Sequence, residues 1–404
     1  MKQKVLVTNV MDRLCFFLEE DGKTAEIFCT DETAQNEHPE KTVHAGDIYI
    51  GKVKKRIPNI HAVFIEIFPG MECYCSEEEA ADGCFTSKAG KKPVCVGDEL
   101  VVQVKKEASK AKKPSLTTDI SLTGRYAVVS RKKQMPGVSS RIPKKEREAL
   151  KAWLQETDSS PFGVILRTEA AQLTLEELHQ KLQKQEEELA DLLEKARTRT
   201  CFTRLKAGAA GEEAGFAHVR WDTLEEVVTD LPDVYERLRS YLEQTEPKAL
   251  DSLRLYTDPQ FPLVKLYSLE REMERALSQR VWLKSGGSLI IQPTEALTVI
   301  DVNTGRAVSG KNERYLKQNL EAAKEAARQI RLRNLSGIIL IDFINLSETE
   351  DREILIRTMR ELTAADPVKT EVIDITRLEL MEITRKKVHP PLYEAVRKKA
   401  HTDE

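Results

Sequence analysis

The stretch LTVIDVNTGR, residues 297–306, decides how the chain is read. It begins as a buried strand: Leu297, Val299 and Ile300 are apolar, and Thr298 suits a pleated surface. Asp301 then sets a carboxylate inside the apolar run. Asn303 follows two residues later, and Thr304-Gly305 breaks the strand. Asp, Asn and Gly are also what strand ends use in turns, so this stretch alone leaves a turn and a site both open. The device recurs in GIILIDFINL, residues 337–346, where Ile338-Ile339-Leu340-Ile341 runs into Asp342. Between the two lies NERYLKQNLEAAKEAARQIRLRNL, an amphipathic helix. Strand, helix and strand predict a βαβ unit with both strands parallel in one sheet. Their carboxyl ends then face one crevice, where open α/β sheets bind ligands. Two carboxylates and an amide oxygen make a hard site of the kind Mg²⁺ takes, with retained waters and substrate phosphates. Such an ion can activate water against a phosphodiester. Asp342 favours a ligand over a turn, because apolar residues flank it and an unpartnered buried carboxylate is expensive.

Residues 276 onward alternate strand and helix. VWLKSGGSLIIQPTEALTVIDVN predicts a hairpin turning at Gly286-Gly287, EDREILIRTMRELTAAD a second helix, and the whole an α/β layer. Residues 214–275 read as helical around LEEVVTDLPDVYERLRSYLEQ. Residues 121–213 hold strands near RYAVVSRKK and FGVILRTEA. A long helix follows, with Leu175, Leu178, Leu182, Leu189, Leu192 and Leu193 at helical spacing. Residues 43–120 give short, turn-punctuated strands, which predict a small β-barrel. Residues 1–35 give further short strands.

With 404 residues, the chain is long enough for two to four compact units. The net charge of −3 does not advertise a polyanion partner, although a local basic stripe matters more than the total. No apolar run approaches the roughly 20 residues that span a bilayer. Asn9, Asp12 and Arg13 interrupt the N-terminal apolar positions, which do not read as a signal peptide, so the expected compartment is the cytoplasm. Seven scattered cysteines read as reduced thiols. Cys73 and Cys75 share a strand face, but no further ligands at metal spacing accompany them.

Several stretches resemble one known family. GDIYIGKV and VGDELVVQV resemble the S1 RNA-binding module, an OB-fold barrel. EALTVIDVNTGRAVSG, QNLEAAKEAARQIRLRNLSGIILIDFINL and ITRLELMEITRKK resemble the catalytic region of the bacterial ribonuclease E/G family, and LTTDISLTGRY and VILRTEA occur in family order. The resemblance spans residues 1 to about 390. It implies a split RNase H-like subdomain (1–36 and 214–275), an inserted S1 domain (37–120), a 5′-sensor subdomain (121–213) and a DNase I-like catalytic subdomain (276–404). It implies Mg²⁺ on Asp301 and Asp342, with Asn303 orienting the site. The reaction it implies is endonucleolytic hydrolysis of single-stranded RNA, leaving 5′-monophosphate ends. Glu295 also matches the family pattern, its role left open between a surface and a supporting carboxylate.

The resemblance assigns RNA contacts as well. Lys112 falls at a substrate-contacting lysine within KKEASKAKKPSLTT. That run reads otherwise as a solvated hairpin tip, and beside an S1 barrel as a phosphate contact. Phe64 matches a surface phenylalanine on which bases stack, with a core role the alternative. Tyr74 matches a second aromatic across a turn one residue longer. Arg167 and Thr168 inherit the grip on a terminal 5′-monophosphate, Gly124 and Val128 match the pocket, and Lys369 stands where an arginine supports it. Lysine keeps that charge but loses the planar fork.

No cysteine follows Cys201, so the zinc link that joins family subunits, and tetramers built on it, are not expected. A homodimer through the catalytic subdomain and a monomer both stay open. The rival reading is an S1-type RNA-binding protein that has lost catalytic turnover.

Overall fold

The computed structural model describes residues 2–30, 42–86, 93–108, 113–133, 135–157, 160–209, 211–304 and 312–397. The chain forms two compact units, Lys41–Ala209 and Met1–Glu40 with Ala210–Glu404.

The discontinuous unit contains two sheets. In the first, Gln3–Val10, Arg13–Glu20 and Lys23–Thr30 form an antiparallel meander. The strand Leu224–Thr229 lies parallel to Gln3–Val10, and Leu253–Leu255 lies parallel to Leu224–Thr229. Strand alternation sends Val5, Val7, Leu14 and Phe16 to one core with the helix Pro232–Thr245. It sends Leu6, Cys15 and Phe17 to the other with the helix Leu269–Leu277. LEEVVTD, which the sequence spacing predicts as helix, is not helical. LEEVVT is a strand, and the helix starts only at Pro232. The β-branched Val227-Val228-Thr229 run favours the pleat, and proline is tolerated at a helix start but not inside it. Cys15 and Cys29 are also not free thiols. They face each other in register on neighbouring antiparallel strands and are joined in a disulfide.

The second sheet runs, in spatial order, Arg280–Trp282, Ser288–Pro293, Leu297–Asn303, Gly337–Asp342, Leu380–Arg385 and Thr370–Ile375. Leu297–Asn303 and Gly337–Asp342 are parallel, and the remaining pairs are antiparallel. The helices Asn312–Leu332 and Thr349–Ala364 contribute Ala322, Ala323, Ala326, Ile330, Leu355 and Met359 to a core beneath one face. Small alanines on the first helix let it lie close to the strands. Alternation sends Ile300, Val302, Ile339 and Ile341 into that core, while Val299, Asp301, Asn303, Leu340 and Asp342 take the opposite face.

The other unit contains a closed barrel. Ile48–Ile57, Ala62–Phe68, Met71–Ser76, Ser115–Thr117 and Glu99–Lys106 pair in that order, and the last returns to the first. Gly51 permits the closure, since a Cβ there would lie 2.5 Å from Ile65 Cγ2. Beside the barrel, Ser121–Thr123, Ala127–Ser130, Gly163–Leu166 and Gly137–Val138 form a small sheet. The helix Leu175–Ala196 packs on it through its leucine stripe. Thr174 and Glu177 cap that helix reciprocally.

Candidate active site

Asp301 and Asp342 are direct register partners across the two parallel strands. Adjacent strands are about 4.8 Å apart, so the two carboxylates stand side by side on the helix-free face. Asn303, two residues on, shares that face, and its Nδ2 donates to Asp301 Oδ2 at 2.7 Å. That bond holds one carboxylate oxygen of Asp301. Among the described residues no cation pairs with either aspartate. Two like charges this close call for a positive partner. The donor set is entirely oxygen, which fits Mg²⁺. Among the described residues no group of three or more His, Cys, Asp or Glu could hold a metal. Mg²⁺ does not need one, because one or two carboxylates, waters and phosphates complete its shell.

Two backbone devices fix the strand ends. Gly287 lies against the end of the first strand: a Cβ there would sit 2.6 Å from the Asn303 carbonyl oxygen. Asn319, fully buried on the connecting helix, donates from Nδ2 to Ile344 O at 2.7 Å and accepts from Ile344 N at 3.0 Å. It therefore fixes the chain two residues beyond Asp342. Sequence reasoning missed Asn319. The available signal was an amide on the same helix face as Ala322, Ala323 and Ala326. Glu295 is exposed before the start of its strand. Strand rise alone separates Leu297 from Asp301 by about 13 Å, so Glu295 does not join the pair.

The barrel presents a row of side chains in register. Lys55 faces Phe64, and Phe64 faces Tyr74. The two rings meet edge to face at 6.3 Å, and Lys113 Nζ lies 5.5 Å from the Phe64 ring while pairing with Glu72. Phe64 is half-buried and Tyr74 is 39% exposed, so both offer ring surface outward. Lys112 lies outside the described residues. Lys55 was not singled out from the sequence, since only the strand register reveals that it shares a face with the aromatics. Cys73 and Cys75, by contrast, point into the barrel core, where burial pushes both thiols up to about 12. Such thiols stay protonated at neutral pH and make poor metal ligands.

Arg167 ends the strand Gly163–Leu166 and donates from Nη1 to the Gly124 carbonyl at 2.8 Å. Its other guanidinium donors have no partner among the described residues. Thr168 follows it, with Oγ1 3.1 Å from Ser139 Oγ. Val128 lies on the neighbouring strand opposite Ile165. The structure thus assembles Gly124, Val128, Arg167 and Thr168 on and beside one small sheet. Lys369 belongs to the discontinuous unit, where it is exposed and pairs with Glu371 at 2.7 Å.

Residues 121–388 match the model of the ribonuclease E/G family. The chain is 34% identical over 358 residues to ribonuclease G of Escherichia coli strain K12, covering 85% of this chain and 72% of that protein. It is 34% identical over 367 residues to ribonuclease G of Haemophilus influenzae, covering 86% and 73%. It is 32% identical over 381 residues to a chloroplastic ribonuclease E/G-like protein of Arabidopsis thaliana, covering 88% and 38%. An oxygen-rich carboxylate pair on an α/β layer, in a chain that also carries a closed barrel, defines a candidate phosphodiester-cleaving protein. The chain belongs to the ribonuclease E/G family.

Proposed function

We propose that the protein is an Mg²⁺-dependent endoribonuclease that cuts single-stranded RNA, in RNA processing and decay, and leaves 5′-monophosphate ends. The register pairing of Asp301 with Asp342 carries this reading. A protein that only bound RNA would have no use for two unpaired carboxylates and an amide aligned on one face. When bound, Mg²⁺ supplies Lewis-acid stabilisation of charge on the phosphodiester. Asp301 and Asp342 would hold it. Asn303 would orient Asp301 through the 2.7 Å bond to its Oδ2. Phe64 and Tyr74 stack bases, while Lys55, Lys112 and Lys113 meet phosphates. Gly124, Val128, Arg167 and Thr168 receive a 5′-monophosphate. The first sheet of the discontinuous unit corresponds to an RNase H-like subdomain and the six-stranded layer to a DNase I-like one.

No helix among the described residues is long and apolar enough to cross a membrane. The direct test uses a 5′-monophosphorylated, A/U-rich RNA with and without Mg²⁺. Internal cleavage that disappears on chelation and in Asp301→Asn supports the proposal. Tight RNA binding without cleavage under any divalent metal would instead support the binding-protein reading.

A further inference from the structure

The leucine stripe of Leu175–Ala196 has one break. Leu178, Leu182, Leu189, Leu192 and Ala196 are all buried. Position 185 lies on the same face, three residues after Leu182 and four before Leu189. It holds Gln185, where a leucine would continue the stripe. Its amide nitrogen is engaged on both hydrogens. Its Nε2 donates to Leu122 O at 2.7 Å and to Ala127 O at 3.2 Å, the two sides of the turn between Ser121–Thr123 and Ala127–Ser130. Gly124, inside that turn, lies so close that a Cβ would sit 2.9 Å from Gln185 Oε1. The carbonyl of Gly124 in turn accepts from Arg167 Nη1. One continuous chain of contacts therefore runs from the helix amide, through the turn, to the guanidinium.

Thr168 has its own support. The backbone N–H of Arg141 donates to Ser139 Oγ at 3.4 Å, and Ser139 Oγ is 3.1 Å from Thr168 Oγ1. A hydroxyl that accepts one hydrogen bond still has a proton to give, and Thr168 Oγ1 is within reach. When Ser139 donates to it, the Thr168 proton is left to point at an external acceptor.

We propose that Gln185 and Ser139 are positioning residues for a phosphate monoester bound by Arg167 and Thr168. Gln185 sets the turn carbonyl that aims the guanidinium, and Ser139 fixes the Thr168 hydroxyl as a donor. The inference rests on the 5′-monophosphate reading given above. Charge-assisted hydrogen bonds depend on alignment, so a group displaced by a fraction of an ångström loses much of their strength. A 5′-hydroxyl end offers no anion for the pair to hold and is indifferent to that alignment.

The test compares kcat/KM for one A/U-rich RNA carrying either a 5′-monophosphate or a 5′-hydroxyl, in wild type, Arg167→Ala, Gln185→Leu, Gln185→Glu and Ser139→Ala. Gln185→Leu restores the leucine stripe, and Gln185→Glu keeps the shape but cannot donate, so either variant suffices if the other fails to fold. The expected result is a fall in the phosphate-to-hydroxyl ratio of about fivefold or more in both Gln185 variants, the scale of one misdirected charge-assisted bond. A smaller fall of about twofold is expected in Ser139→Ala. The loss is carried by the monophosphorylated RNA. If wild type shows a preference that Arg167→Ala erases but both Gln185 variants keep, this proposal fails and the sensor reading stands. Equal losses on both RNAs in the Gln185 variants also overturn it, since a merely structural amide would act that way. A wild-type ratio near one would remove the sensor reading and this proposal together.

Discussion

Arg385 offers the most exacting test of how the catalytic layer is held together. The pair Arg385–Asp366 is deeply buried, with side chains 2% and 6% exposed. The guanidinium donates from Nε to Asp366 Oδ2 at 2.7 Å and from Nη2 to Oδ1 at 3.2 Å. Its Nη1 donates to Asn334 Oδ1 at 2.6 Å and to the Leu335 carbonyl at 3.2 Å. Asn334 in turn donates from Nδ2 to the carbonyls of His389 and Pro390. One side chain thus joins the end of the helix Asn312–Leu332, the end of Thr349–Ala364 and the last strand. In Arg385→Met, packing volume is largely kept, but Asp366 is left buried without its cation. Breaking one side of such a pair costs about 3–5 kcal/mol. For a unit of this size that corresponds to a fall in Tm of about 10 °C. Most of the cost is the stranded carboxylate, so Arg385→Met combined with Asp366→Asn should recover at least about 1 kcal/mol. Arg385 faces Gly337, at the end of its strand remote from Asp342, so RNA cleavage well below Tm should persist. Calorimetry and urea melts of the three variants provide the measurement. A Tm shift below about 2 °C in the single variant, or a double variant no better than the single, would show that the buried pair does not hold the layer.

Three further outcomes follow from particular contacts. Burial raises the Glu26 carboxyl, but His218 and Arg331 outweigh it and hold the group at about 2, against 4.5 when unperturbed. The depressed value means its stabilisation, about 3 kcal/mol, is present above pH 4.5 and is lost as pH falls toward 2. Acid titration of Arg331→Met should shift that loss to higher pH, and an unchanged acid midpoint would contradict the assignment. Asn319→Leu should lower cleavage by about tenfold or more with RNA affinity little changed, because it frees the chain beyond Asp342. Equal cleavage in wild type and variant would show that Ile344 needs no such anchor. Phe64→Ala should weaken RNA binding by about 1–3 kcal/mol without changing its salt slope, whereas Lys55→Ala should reduce that slope. Fluorescence anisotropy across salt concentrations separates the two.

The βαβ unit was legible because its signal is local. An aspartate inside each of two apolar strands, joined by an amphipathic helix, leaves few topologies, and the observed register sets Asp301 directly beside Asp342. The barrel was legible for a similar reason: short alternating strands punctuated by Gly and Pro. What escaped the sequence was mostly set by distant partners. LEEVVTD has apolar spacing that a helix also tolerates, and only pairing with Gln3–Val10 reveals it as a strand. Seven cysteines do not announce which two face each other, and the Cys15–Cys29 bond depends on hairpin register. Gln185 and Asn319 each look like one more polar residue on a charged helix. Their importance appears only when the turn and the strand end that they hold are in view.

The proposed function depends on Asp301 and Asp342 forming one cation site that cuts RNA. The decisive measurement is cleavage of a 5′-monophosphorylated single-stranded RNA by wild type and Asp342→Asn, alongside Mg²⁺ titration and RNA affinity for both. Wild type is expected to make internal cuts ending in 5′-monophosphates. The variant is expected to keep near-normal RNA affinity, with weakened Mg²⁺ dependence and cleavage reduced by several orders of magnitude. Cleavage by Asp342→Asn at the wild-type rate, or cleavage by wild type that persists after complete chelation, would rule out a shared cation site on the two aspartates.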